Sequence, residues 1–398
     1  MTGYLLRRGM QMVAVVFISA IVTYALLNLA PGGPLAGLRQ TQQSAVFRVT
    51  EEDIARIRSY YELDLKLPIR FSRWLIGKPD GPIVIGGYEF FPNWVAGCRK
   101  PIEEVIEQNG AFETVVTGCE ENVYLRDLAD RRSSKGVLRG DFGLSWRLNR
   151  DRPVSDLIIS RLPKTLQLMG LAIAISLVFG VPLGIYSAVK QYSRFDYAVT
   201  TLAFFGSSMP TFFFGLLLIL LFSIIPKGLG WPYLPPGSSE AVRNWTTPLL
   251  GEITAGSAAD RLLHLILPAA VLAMAYVAGW SRFVRAAMLD VLRQDYVRTA
   301  RAKGLVERLV IVKHALRNAL IPFITIAVFA IPTMFGGAII TESIFSWPGM
   351  GRLYILALGD YDYPVAMALL MITAVLTVFA TLLQDILYTI VDPRIRFS

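Results

Sequence analysis

Six stretches of this chain run for about 20 or more residues without a single charge: residues 10–30, 165–189, 197–225, 262–281, 318–341 and 363–384. Roughly 20 apolar residues in a helix cross about 30 Å of hydrocarbon. Lipid offers no water to the peptide backbone, so each stretch must pair its own N–H and C=O groups, and helices do this. The chain is therefore expected to be an all-α polytopic membrane protein with six spans. Its 54% hydrophobic and 17% charged residues and its mean hydropathy of +0.49 agree with a membrane solvent rather than water. Arg7 and Arg8 precede the first stretch, in the manner of a signal peptide. The apolar run is longer than a signal core, and no small-x-small pattern comes before Pro31-Gly32-Gly33-Pro34, so it reads as an anchor.

The net charge of +9 raises the question of a nucleic-acid partner. Its distribution answers it. With the N-terminus in the cytoplasm, the cytoplasmic pieces are 1–9, 190–196, 282–317 and the tail at 391–398, and 282–317 alone holds nine Lys or Arg. The other side balances its acids and bases. This is the positive-inside asymmetry, which puts both termini in the cytoplasm and leaves no call for nucleic acid. Two cysteines and two histidines, His264 and His314, are too few for a zinc site.

The region 31–164 between the first two spans is the candidate soluble part. Residues 51–61 carry Ile54, Ile57 and Tyr61 at helical spacing. Residues 79–137 change character and are expected to form a small extracytoplasmic α+β lobe, with a strand at 84–91 and helices at 101–108 and 123–131. Cys98 and Cys119 both fall in this lobe. In an oxidising compartment they are the obvious disulfide, contributing about 3 kcal/mol in the chain-entropy treatment.

Between the fourth and fifth spans lies a polar, basic stretch, Gln294 to Gly304. Asp295 is read as its helix N-cap, Arg301 and Lys303 as last-turn cations, and Gly304 as a left-handed stop. Thr299, Ala300 and Ala302 are small enough to let a partner approach the backbone. Leu305, Leu309, Val312, Leu316 and Leu320 then recur at steps of three and four, the stripe of a second, amphipathic helix. Inside the spans, Ser207, Ser208, Met209 and Pro210 interrupt the third, where a kink shaping a gate competes with ordinary packing. Asp385, near the inner end of the sixth, is an intramembrane acid and so a transport candidate, against helix-end packing with a cation. Gly336-Gly337-Ala338 reads as close helix packing. Trp231, Trp347, Tyr354, Tyr361 and Tyr363 are expected at the membrane interface.

Asp295-Tyr296-Val297-Arg298-Thr299-Ala300-Arg301-Ala302-Lys303-Gly304, followed by His314-Ala315-Leu316-Arg317-Asn318-Ala319-Leu320-Ile321-Pro322, resembles the coupling-loop signature of membrane subunits of dipeptide and oligopeptide ABC importers. Further motifs lie in the same order: Gly140-Asp141-Phe142-Gly143-Leu144-Ser145, Arg152-Pro153-Val154, Arg161-Leu162-Pro163 and Ser207-Ser208-Met209-Pro210-Thr211-Phe212. So do Glu342 through Gly351, Asp360-Tyr361-Asp362-Tyr363-Pro364 and Asp392-Pro393-Arg394-Ile395-Arg396. Departures are the absence of an acid at Pro31–Pro34, Arg298-Thr299-Ala300 in place of Glu-Ala-Ala, and the inserted lobe. The resemblance implies a type I importer permease fold, with residues 165–390 as a core of five spans. It implies a permease that forms half of a peptide pore, with Glu342 joining Ser207, Ser208, Met209, Pro210 and Asp385 as pore or gate candidates. It implies two ATPase subunits docked on the cytoplasmic side, one of them holding the helix 296–303 in a cleft, a second similar permease, and an extracytoplasmic binding protein on the 226–261 and 342–362 face. ATP and magnesium belong to the ATPase subunits, since no P-loop pattern occurs here. No catalytic, cofactor or metal residues are expected in the chain. Nickel chelates and oligosaccharides are alternative cargoes; a stand-alone channel and a membrane-embedded hydrolase are rival classes. Asp141-Phe142-Gly143 lacks the companions that a kinase motif needs.

Overall fold

The computed structural model describes residues 2–29, 50–108, 111–131, 134–336 and 338–391. Pro31–Pro34, Gly337 and the motif Asp392–Arg396 lie outside the described residues. Six helices among those described are long and apolar enough to span a membrane: Leu6–Leu29, Val154–Val189, Thr211–Gly228, Ala258–Leu292, Ile321–Ile344 and Tyr363–Ile390. All six expected spans are present, with one shift. The third does not begin at 197. A separate helix, Arg194–Ser208, ends where Met209 turns extended, and the span starts after Pro210. Proline lacks the N–H that would continue the helix and pushes the residue before it out of helical geometry.

The chain divides into two compact units. The first comprises Met1–Val16, Ile159–Ile355 and Ile372–Ser398. Its axis is the helix Ala258–Leu292. Near one end Leu168, Met169 and Ala172 pack on Ala269, Leu272 and Ala273, with Trp347 sealing the cluster. Near the other end Trp280, Val284 and Met288 meet Ala188, Val297, Val310, Ala315, Ala319 and Phe323. Lipid is as apolar as leucine, so burial alone does not drive these helices together; close packing does. Gly184 shows how close: a Cβ there would stand 2.5 Å from the Ser281 carbonyl oxygen. The large apolar residues left outside, such as Val178, Phe205, Phe222 and Phe379, suit lipid or a partner.

The second unit comprises Phe17–Ile158 and Leu356–Met371. Helix Glu51–Tyr60, expected from its apolar spacing, is opened by a capping box, Thr50 with Asp53. Helix Leu67–Ile76 follows and stops on Gly77 at φ 75°. The inserted segment departs from expectation. The single strand at 84–91 is a small hairpin, Ile83–Ile85 with Tyr88–Phe90, turned by Gly86 and Gly87 at φ 61° and 86°. Residues 101–108 are not helical but belong to the strand Val95–Gln108, paired antiparallel with Ala111–Tyr124. Of 123–131 only Leu125–Leu128 is helical, as one 3-10 turn. The Glu-rich run 103–107 favours helix locally, but cross-strand pairing decides strand identity. Pro101 is tolerated because it sits at a register shift. Cys98 and Cys119 join the two strands as a disulfide, Cα atoms 6.0 Å apart. The hairpin base is rooted in its unit: Leu65, Ala96, Val123, Leu125 and Leu128 form one buried cluster. Arg131 grips the buried Asp64 through two bonds of 2.9 and 2.7 Å. The segment is thus built into its surroundings rather than hung on them.

Candidate functional site

The basic stretch between the fourth and fifth spans forms the helix Asp295–Ala302. Its N-cap is Gln294, whose side chain makes no capping bond; Asp295 sits one place inside, a first-turn acid rather than the cap expected. Extended backbone at Gln294, φ −72° and ψ 148°, moves the start by one residue. The stop is as expected: Gly304 is left-handed at φ 77°, and its N–H donates to the Arg301 carbonyl at 2.9 Å. Arg301 reaches over this turn to Glu307, 2.7 Å away. That guanidinium holds the Glu307 carboxyl below its ordinary range. The pair staples the short helix to the next one.

The helix has two faces. Val297 and Ala300, three residues apart, are buried in the cluster around Trp280, Val284 and Met288. Tyr296, Arg298, Thr299, Arg301, Ala302 and Lys303 are exposed. Ala300 therefore serves inward packing, and Thr299 and Ala302 are the small residues left on the open face. Thr299 Oγ1 is spent on the Asp295 carbonyl, 2.9 Å away. The exposed pair Arg298–Asp295, at 3.8 Å, adds little in water.

The next segment corrects the expected stripe. Val310, Ala315 and Ala319 are the buried residues, whereas Leu309 and Val312 are exposed. The cause is π-helical winding over Val310–Leu316, which steps the inner face by five residues from Val310 to Ala315. Of the predicted stripe, Leu305, Leu309 and Val312 are exposed, while Leu316 and Leu320 pack against the core cluster.

Asp196 was not singled out in the sequence, yet it locks this end of the unit. Arg285 donates to it through Nε and Nη2 at 2.6 and 2.7 Å, the Tyr192 N–H donates at 2.9 Å, and the Ser187 hydroxyl bonds to it. Three helices, ending at Val189, starting at Arg194 and running through Arg285, are tied at one carboxylate. The Arg285 bonds hold that carboxyl well below the usual range. The legible signal was Ser193-x-x-Asp196, an N-cap pattern that the structure uses.

The pore candidates fall in different places. Ser207 and Ser208 are exposed at the break with Met209 and Pro210, and Ser207 Oγ bonds the Phe204 carbonyl at 3.1 Å. Glu342 is fully buried and taken by its own chain. It accepts from Thr165 Oγ1 at 3.2 Å and from the Arg352 N–H at 2.8 Å, while Thr165 Oγ1 accepts the Met350 N–H at 2.7 Å. Within the chain, Glu342 holds the turn Trp347–Gly351. Trp347 is no interface anchor, being buried with Nε1 donating to the Lys164 carbonyl at 2.9 Å. Asp385 is paired with Arg8 at 2.9 Å. In the other unit Tyr363 is also buried, and Asp362 collects the Ser145 hydroxyl and the N–H groups of Trp146, Arg147 and Leu148 at 2.5–3.0 Å. Two motifs far apart in sequence thus meet at one carboxylate. His264 is buried beside Asp260, its Nδ1 2.8 Å from that residue's carbonyl, and serves packing.

Residues 180–397 match the family described as "Binding-protein-dependent transport system inner membrane component". The chain is 47% identical over 261 residues to the oligopeptide transport system permease protein AppB of Bacillus subtilis, covering 66% of this chain and 78% of that one. It is 40% identical over 272 residues to the dipeptide transport system permease protein DppB of Escherichia coli K12, with the same coverage. It is 39% identical over 263 residues to the oligopeptide transport system permease protein OppB of Haemophilus influenzae, again with the same coverage.

Proposed function

The chain belongs to the binding-protein-dependent transport system inner membrane components, and on that premise we propose that it forms half of the translocation pore of an ATP-driven peptide importer. It is a multi-pass membrane transport subunit. Both ends lie in the cytoplasm, as the Lys and Arg distribution favours. Two ATPase subunits hold ATP and magnesium, a second permease of the same kind completes the pore, and an extracytoplasmic binding protein delivers the peptide. Peptide is favoured as cargo because the three relatives above are named for oligopeptide or dipeptide transport.

The observation that carries the coupling role is the two-faced helix Asp295–Ala302. Its inner face is wedged by Val297 and Ala300 against the ends of three spans' packing cluster, and its outer face is basic and open. A partner that moves the outer face moves the inner one as a rigid body, because a packed cluster transmits displacement instead of absorbing it. ATPase closure is thereby converted into alternating access. The test is affinity purification of the chain in mild detergent, followed by reconstitution and ATP-dependent uptake of a labelled tripeptide. ATPase subunits and a second permease are expected to co-purify. Repeated recovery of the chain alone, or uptake indifferent to ATP, would refute the proposal.

A further inference from the structure

Inside the unit made of Phe17–Ile158 and Leu356–Met371 is a cavity of about 840 Å³. That is far more than a simple ion fills and within the range of organic ligand sites. Tyr24 and Asn28, near the end of the first span, and Pro364, at the start of the last, help to line it. Four crossings separate those two points in the chain, so both lie at the same membrane face, at the depth of lipid head groups.

The wall is cationic. Six Arg or Lys side chains line the cavity against three carboxylates. Of the carboxylates, Glu62 is taken by Arg73 and Asp141 by the N–H groups of Lys135 and Gly143. Arg56, Arg70 and Lys100 make no salt bridge among the described residues, although Asp53 feels the charge of Arg56 and Arg70 bonds to Tyr24. Three buried donors on lining residues, Arg70 Nε, Trp74 Nε1 and Arg99 Nε, also lack any hydrogen-bond partner among the described residues. Buried donors are almost always paired in folded proteins. What this cavity lacks is an acceptor without donors of its own, carrying negative charge.

We propose that the cavity binds the phosphate-bearing head group of an anionic membrane phospholipid. Phosphate is acceptor-only and pairs with arginine forks. Trp74 and Trp146 on the same wall suit the interfacial layer where such head groups lie. A net positive wall favours phosphatidylglycerol over a zwitterionic lipid, and each cation near the surface strengthens binding roughly fivefold. The site is independent of what the permease carries.

Native mass spectrometry of the full chain, released from detergent with added phosphatidylglycerol or phosphatidylcholine, tests this. Selective retention of phosphatidylglycerol is expected. It should fall about a hundredfold in the triple variant Arg56→Gln/Arg70→Gln/Lys100→Gln. The control Lys66→Gln/Arg126→Gln/Arg139→Gln, basic positions outside the cavity, should bind as the parent does. Should the triple variant fail to fold, Arg56→Gln alone, at an exposed position, should still lose roughly fivefold. Equal retention of both lipids, or undiminished retention in the variants, would overturn the proposal. Displacement of the lipid by millimolar inorganic phosphate would assign the cavity to a soluble anion, and displacement by trialanine would assign it to a peptide carboxylate; either overturns the lipid.

Discussion

Gly304 allows the coupling role to be separated from folding. Its φ of 77° is left-handed, and a Cβ added there would meet nothing within 4 Å. An L-residue in that conformation costs about 1–2 kcal/mol, with asparagine cheaper. The cost arises at Cβ, so alanine and leucine burden the isolated chain alike. Against a typical net stability of about 5–15 kcal/mol, both variants should fold and insert. Leucine differs from alanine only in the atoms it pushes outward. If an ATPase surface grips this turn, those atoms must overpack it, at about 1–3 kcal/mol. That is roughly 5- to 150-fold in affinity, at about 1.4 kcal/mol per tenfold. The assay is ATP-driven peptide uptake in proteoliposomes for Gly304→Asn, Gly304→Ala and Gly304→Leu, beside co-purification with ATPase subunits and thermal melting in detergent. Uptake should fall in that order, with Ala and Leu melting together. Equal uptake by Ala and Leu, or normal uptake by Leu, would refute a gripped turn.

Other consequences are open to measurement. Asp196→Asn leaves Arg285 without its carboxylate and should destabilise the protein by about 3–5 kcal/mol, seen as a lower melting midpoint. Because the folded carboxyl titrates below its unfolded value of about 3.9, the parent's extra stability is present above that pH and is lost as pH falls through the folded value. A parent-to-variant difference that persists undiminished toward pH 2 would contradict the assignment. Gly349→Ala would place a Cβ 2.4 Å from the Glu342 carboxylate and should sharply lower yield and melting temperature, whereas the same change at exposed Gly140, despite its left-handed φ, should cost no more than about 2 kcal/mol. Cys98→Ser should lower hairpin stability by about 3 kcal/mol, read as faster proteolysis between Val95 and Tyr124. Removing all of 78–137 should unfold its unit by uncovering Leu65 and stripping Arg131 from Asp64, while trimming only 102–117 should leave the unit folded; proteolysis of both deletion variants distinguishes them.

The spans were legible because the requirement they meet is one-dimensional. A charge-free run of some 20 residues is visible in the letters, and lipid permits it one backbone solution. The stop at Gly304 and the break at Pro210 were equally local, since each depends on φ and on donors within four residues. The disulfide partners followed from there being two cysteines in one segment. The stripe held at Leu316 and Leu320 but misled at Leu309 and Val312, because periodicity assumes 3.6 residues per turn and a π segment of seven residues moved the inner face onto Val310 and Ala315. The burial of Glu342 was not legible, because an acid near a span's end looks the same in sequence whether it faces water or closes a turn.

What the sequence by itself determined, then, is the membrane class, the span count, the basic side and the family, all of which rest on composition and short-range pattern. What only the tertiary structure decided is which carboxylates have partners. Asp196 with Arg285, Asp362 with the Ser145 turn, Glu342 with Thr165 and Asp385 with Arg8 lie from 89 to more than 370 positions apart in the chain. A charge inside a low-dielectric protein is kept only where donors converge on it, and convergence is a property of three dimensions that no stretch of sequence carries.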